Sequence, residues 1–223
     1  MIRTTAFVHL RPDATPARVD ELIDAASRAA EETDAIAADA SRVTSNAFRA
    51  GDVMLLGAYS HQSALERALG SSHFTDVLRP LLAELATHVE AISYAQGAAT
   101  IREPDLTDGV HRSLLIRVDP DTDPVMVERF ERELAAMPNF IDAIRNSSLS
   151  RIDAVHASLG PDYTHVWEQE FATLDGLTGP YMQHAYHWSV IDPWFDVQAP
   201  VHIVDPVLIH SSCHLRRSIL TLA

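Results

Sequence analysis

The chain has 223 residues, 47% hydrophobic and 22% charged, a balance that suits one or two packed domains and excludes disordered and collagen-like classes. Its 17 basic against 31 acidic residues leave a net charge of −14, which argues against a nucleic-acid backbone or an anionic membrane surface as partner. Every basic residue is Arg, which removes Schiff-base, pyridoxal-lysine and P-loop-lysine chemistry, and the single Cys213 permits neither an intrachain disulfide nor a thiolate metal cage.

In chain order, Thr5–Arg11 reads as a strand stopped by the turn Pro12-Asp13. Thr15-Pro16 then caps a helix whose Val19, Leu22, Ile23 and Ala26 share one face. The Ala- and Glu-rich run Ala25–Ala40 reads as a solvated helix and its exit, followed by a weak extended stretch near Ser41–Arg49. Val53–Tyr59 is a stronger strand, Ser63–Leu85 is helical with a break near Pro80, and His88–Tyr94 closes the first half as a strand. Residues 99–110, with Pro104, Gly109 and mixed charges, suit a linker between an N-terminal unit (1–98) and a C-terminal unit (111–223).

The second half repeats this order. Ser113–Asp119 is stopped by Pro120-Asp121, and Asp123-Pro124 opens a helix with Val127, Phe130, Leu134 and Met137 on one face. Ile141–Ile152 is extended, Thr164–Phe171 alternates as a strand, Gly176–Phe195 is helical with a break near Pro193, and Pro206–Ser212 is a strand. Each half is therefore β-α-β-β-α-β, the ferredoxin-like unit, and the fold class is α+β. One such unit leaves a sheet face bare, so two in one chain are expected to pack sheet to sheet as an intramolecular α/β barrel. That packing is expected to enclose a hollow beside the second long helix. No apolar run approaches the roughly 18 residues of a membrane span, and the N-terminus is too polar for a signal peptide, so a cytoplasmic location is expected.

The stretch Tyr163-Thr164-His165-Val166-Trp167-Glu168-Gln169-Glu170-Phe171, with Tyr181-Met182-Gln183-His184-Ala185-Tyr186-His187 downstream, resembles the stress-responsive α/β-barrel (Dabb) family of the dimeric α/β-barrel superfamily. The resemblance is good over residues 111–213 and weaker over 3–96. It includes polyketide cyclases and a hydroxynitrile lyase, and it implies cofactor-free proton transfer by Tyr181 and His187, with His184 as the first histidine of the helix motif. The motif's proline is Ala185 here, and the family's first-strand histidine falls on Arg112. In the N-terminal half that strand position is Thr4, and the helix motif retains only His73, with Arg67 and Gly70 at the other places. One site, in the C-terminal half, is expected.

The residues themselves suit that chemistry. An imidazole exchanges protons at neutral pH, and a phenol can stabilise a developing oxyanion. On a regular helix Tyr181, His184 and His187, three residues apart, share one side. Packed aromatic and histidine side chains on a helix face are the plainer explanation of the same spacing. Eight of the 12 histidines and all three tryptophans follow residue 110, which points to the C-terminal half for an aromatic-lined pocket; Trp167 and Trp188 are its candidates, while Trp194 and Phe195 could close the barrel end. Arg112 reads as an exposed charge at a strand end or as a carboxylate-recognising group. Asp192, five residues beyond His187, is not adjacent to it on a regular helix. His184 and His187, even with His165 or His202, make weak metal spacing, and no glycine-rich, GxSxG or HExxH motif is present, so no metal and no cofactor is expected.

The leading expectation is a cofactor-independent lyase or cyclase acting on a small molecule. A non-catalytic ligand-binding or stress-responsive protein is the main alternative, and a monooxygenase of the same superfamily, cofactor-free or haem-using, is a third. A homodimer of the whole chain stays open.

Overall fold

The computed structural model describes residues 1–44, 49–152, 158–159 and 162–220. Strand β1 (Ile2–Leu10) sends Arg3, Thr5 and Phe7 to one side and Thr4, Ala6 and Val8 to the other, and its burial on both faces marks a central strand. Helix α1 (Pro16–Ser27) begins at the proline, as the spacing predicts, and buries Val19, Leu22, Ala25 and Ala26. After a single turn, α2 (Ala29–Glu32), comes strand β2 (Ala35–Arg42), where the sequence reads as helix exit. Ala35, Ala37, Ala38 and Ala40 carry no β-branched signal, and pairing along strand β3 (Val53–Tyr59) makes this segment extended. Ser45–Phe48 of the expected extended stretch lie outside the described residues.

Helix α3 (Gln62–Leu69), a π-helical turn (His73–Leu78) and α4 (Arg79–Leu85) follow, then strand β4 (Ala86–Ala95). Pro80 does not break this stretch: it sits in the first turn of α4, where its missing N–H costs little. Residues read as linker carry structure of their own, because strand β5 (Ala98–Ile101) pairs with the second sheet and strand β6 starts at Thr107 and runs to Ile116. Helix α5 (Pro124–Ala136) is capped by the Asp123 side chain, which accepts from Val125 N. Strands β7 (Ile144–Arg151), β8 (Ser158–Leu159) and β9 (His165–Phe171) precede a broken helical stretch, and β10 (Ile209–Arg217) ends the fold.

The sheets run β2-β3-β1-β4-β8 and β10-β6-β9-β7-β5. Without β8 and β5, each is the ferredoxin-like order, and the repeat holds residue by residue. Thr4 faces Gly57 and Ser93 as Arg112 faces Gln169 and Ser212, and the register shifts at Ala35/Ala37 and again at Ile144/Asn146. The sheets face each other, with Phe7, Met54 and Ile92 of the first meeting Leu115, Val166 and Ile209 of the second. At one edge Val43 bridges to Cys213 and Asp39 accepts from Arg216 N. At the other the chain passes from β4 into β5, and β8 returns to pair with β4. That crossing depends on Gly97, where an added Cβ would lie 2.2 Å from the Leu149 carbonyl oxygen. Gly97→Ala is expected to cost about 1–3 kcal/mol through this overpacking, read as a lowered urea midpoint.

The space between the sheets is not the expected hollow. Arg3 Nη2 donates to Glu168 Oε1 at 3.0 Å, His111 lies between Glu168 and Glu170, and all are buried. Glu170 also accepts from Asn146 Nδ2 at 2.7 Å and from Ile219 N at 3.0 Å, and Arg3 donates to the Ile219 carbonyl, so the C-terminal segment seals the interior. Strand alternation decides the rest. Arg112, Trp167 and Gln169 point to the opposite face of the second sheet, under the helices, and Tyr181 and His187 meet them there rather than inside the barrel.

Candidate active site

The segment from Leu174 to Trp194 is not one helix. A short α6 (Leu174–Gly176) runs into a π-helical turn (Leu177–Tyr181), the chain breaks at Met182–His184, and a second π-helical turn (His187–Ile191) leads to a 3₁₀ turn (Asp192–Trp194). Pro180, which lacks a backbone N–H, sits inside the first of these turns. The break changes which side chains meet. Tyr181 and His187 still come together, edge to face with ring centroids 4.6 Å apart. His184 does not join them: its Nδ1 accepts from Tyr186 N at 3.1 Å, which holds the chain at the break. Trp188 is 58% exposed, on the surface rather than packed beside the buried His187 as a pocket wall. Consecutive positions on a helix point about 100° apart, and burying His187 turns Trp188 outward. Trp188→Ser is accordingly expected to change the melting temperature by no more than a degree or two, as for ordinary surface substitutions.

Asp192, by contrast, belongs to the site. A π-helical turn bonds residue i to i+5, here Asp192 N to the His187 carbonyl, and brings the two side chains together. Asp192 Oδ1 lies 3.3 Å from His187 Nδ1. The contact is off hydrogen-bond alignment but within ion-pair range for a protonated ring. The regular-helix spacing used on the sequence misses it.

Arg112 is no exposed strand end: 3% of it is accessible. Its Nη1 donates to Gln169 Oε1 at 2.7 Å, its Nε donates to His210 Nε2 at 2.9 Å, and its guanidinium lies 5.0 Å from the Trp167 ring and 5.2 Å from that of Tyr181. Burial, the adjacent Arg112 cation and His187 together lower the His210 pKa to about 3, so its ring is neutral and can accept from Arg112. Among the described residues, no carboxylate lies within ion-pair distance of Arg112, and burial pulls its pKa down. The Tyr181 hydroxyl is fully buried with no hydrogen bond within normal geometry. Burial, helped by the Asp192 charge, pushes its pKa up to about 12, with Arg112 and the Gln169 side chain opposing, so it stays a proton donor.

The remaining candidates are structural. Trp167 is packed in the core under Arg112, and Trp194 is buried with its indole N–H donating to Glu133 Oε2 at 2.8 Å. His165 Nε2 lies 2.9 Å from Glu131 Oε1, tying β9 to α5. Among the described residues, no group of three or more His, Cys, Asp or Glu is placed to hold a metal ion. An apolar cavity of about 440 Å³ does exist, but in the N-terminal half, between the first sheet and its helices, where the aromatic residue count did not point.

Two ferredoxin-like units facing sheet to sheet define a dimeric α/β barrel folded from one polypeptide. Residues 110–207 match the model of the Stress responsive A/B Barrel Domain family. No curated protein matches the sequence. Among solved structures, a monooxygenase-like protein from Lactobacillus acidophilus NCFM is 10% identical, over 95% of this chain and 92% of that one, with a TM-score of 0.62. An anthrone oxidase-like protein is 12% identical over 100% and 94%, with a TM-score of 0.64. A monooxygenase-like protein from Fusobacterium nucleatum is 9% identical over 97% and 92%, with a TM-score of 0.65. At these identities the likeness is one of fold, and it spans both halves. No helix is long and apolar enough to cross a membrane among the described residues.

Proposed function

We propose that the C-terminal half is a cofactor-independent acid–base site for a small carbonyl compound, of the lyase or cyclase class. The observation that carries this reading is the Arg112–Tyr181 pair: among the described residues, a buried cation with no carboxylate within ion-pair distance beside a buried hydroxyl that makes no well-aligned hydrogen bond. Such groups cost several kcal/mol in a core that exists only to be stable. They are of use where an oxyanion develops, because donors fixed in advance need no reorganisation. In this reading a carbonyl oxygen lies against Tyr181 Oη and Arg112. His187 Nε2 takes the proton from the adjacent carbon, the C–H electron pair becomes the enolate, and Asp192 stabilises the imidazolium through Nδ1. In a cyclisation the enolate carbon attacks a second carbonyl carbon of the same molecule, and the C=O pair displaced by the new C–C bond becomes an alkoxide that takes the proton back from His187; in an elimination the enolate electrons form the new double bond as the β-substituent leaves with its bonding pair and takes that proton.

Tyr181→Phe separates function from structure. Removing an unpaired buried hydroxyl is expected to leave stability unchanged or raise it by up to about 1 kcal/mol. The same change is expected to slow deuterium wash-in at the α-carbon of a β-diketone, followed by NMR, by about 100-fold or more. A loss of stability with unchanged exchange would show the hydroxyl to be structural. Binding without turnover is the second reading, favoured by how completely Arg112, Tyr181 and His187 are enclosed; wild-type protein that binds the diketone yet exchanges no deuterium would select it.

A further inference from the structure

The exact register of the repeat allows the two helix-facing sheet surfaces to be compared position by position. Where the C-terminal half has Arg112, Leu114, Gln169, Trp167 and His210, the N-terminal half has Thr4, Ala6, Gly57, Leu55 and Ala91. Every exchange is to a smaller side chain, and all five of the N-terminal residues line the 440 Å³ cavity. The hollow is therefore built in side chain by side chain and is not a packing fault. Its volume falls within the roughly 300–1,000 Å³ of small-molecule sites. Gly57 is needed for its floor: a Cβ there would lie 2.5 Å from Thr4 Oγ1 and 3.1 Å from the Tyr59 ring.

The lining also states a preference. Asp39 is already committed to Arg216, which donates to its Oδ1 at 2.8 Å, and Arg79 stands exposed at the margin with its guanidinium 5.3 Å from the Phe74 ring. Apart from His73, the other polar side chains of the lining, Thr4, Thr33, Tyr59 and Ser93 among them, are uncharged hydroxyls. His73, at the position matching His187, has Nε2 3.0 Å from the Ala25 carbonyl oxygen; a carbonyl only accepts, so Nε2 carries a proton and donates to it. We infer that the N-terminal half is a second, separate binding site, for an uncharged and largely apolar small molecule bearing a hydroxyl group. It is a site for binding alone, since the cavity lacks any counterpart of the Arg112–Tyr181 pair: Thr4 and Arg67 stand at those positions.

The probe is 1-naphthol at pH 7, titrated by fluorescence against the full chain. Saturable binding is expected, weakened about tenfold or more by Ala91→Phe, which fills the cavity, and also by Ser93→Leu. Both variants are expected to keep or raise the melting temperature, because they add apolar volume to a void. His187→Ala is expected to leave the affinity within about twofold, which keeps this site distinct from the one in the C-terminal half. 1-Naphthoate is expected to bind more weakly than 1-naphthol. Absence of saturable binding, unchanged affinity in both folded filling variants, loss of binding in His187→Ala, or a preference for naphthoate would each overturn the inference.

Discussion

Arg3→Ala is expected to be among the most damaging single substitutions in the chain, at about 3–5 kcal/mol, because it leaves the buried Glu168 carboxylate without its cationic partner. For a domain of this size that corresponds to a fall in melting temperature of roughly 6–20 °C, measured by calorimetry. Replacing both partners, Arg3→Met with Glu168→Leu, is expected to recover much of the loss, since desolvation of the pair offsets most of its Coulombic gain. The same cluster gives stability a pH signature. Burial alone would raise the Glu168 carboxyl, but Arg3, His111 and Tyr94 outweigh it and bring the pKa down to about 2. A carboxyl depressed on folding stabilises above its unfolded value and loses that contribution as the pH falls from about 4.5 towards 2. His111 has the opposite sign: burial opposes its charge, yet Glu168 and Glu170 raise its pKa overall. Its contribution is complete below the ordinary histidine value and disappears as the pH rises through the folded one. Urea midpoints measured from pH 3 to 9 should therefore peak in the mildly acidic range, and His111→Gln should remove the decline on the alkaline side. A midpoint that is flat across this range would show that His111 and Glu168 do not hold the halves together.

His187→Ala is expected to lower kcat/KM about 10²–10⁴-fold for proton abstraction from an enolisable carbonyl, the usual share of a positioned general base. The melting temperature should stay within a few degrees, because the imidazole lies against Tyr181 at the helix break and not within the central core. Asp192→Asn tests the positioning residue separately. It leaves the proton-accepting nitrogen in place and removes only the charge beside Nδ1, so kcat should fall by about tenfold with KM nearly unchanged. If His187→Ala and Asp192→Asn lose fold and activity together, the pair is a structural clasp and the acid–base reading fails.

The repeat was legible because its signals are local. Pro-Asp turns close both first strands, prolines open both first helices, and alternation along Thr164–Phe171 states which residues share a face. Strand β2 was not legible, since four alanines take an extended form only when β3 pairs with them. Strand β5 was hidden in the same way, its polar and small residues pairing with β7 across the join. At the site, the Tyr181 and His187 positions could be read from the motif, whereas Asp192 and Trp188 could not. The place of Asp192 follows from the π-helical turn, which shifts the residue adjacent to His187 from i+4 to i+5, and Trp188 points outward because His187 beside it is buried.

Sequence alone determined two βαββαβ units in tandem and the segment that matches a stress-responsive barrel domain. Only the tertiary structure decided which face each half offers: an ion-paired interior between the sheets, a filled site with Arg112 beneath one set of helices, and an apolar cavity beneath the other. The physical reason is that a strand's alternation says two residues lie on opposite faces but not which face meets the partner sheet. That choice is made by packing, when the two bare sheet surfaces bury each other.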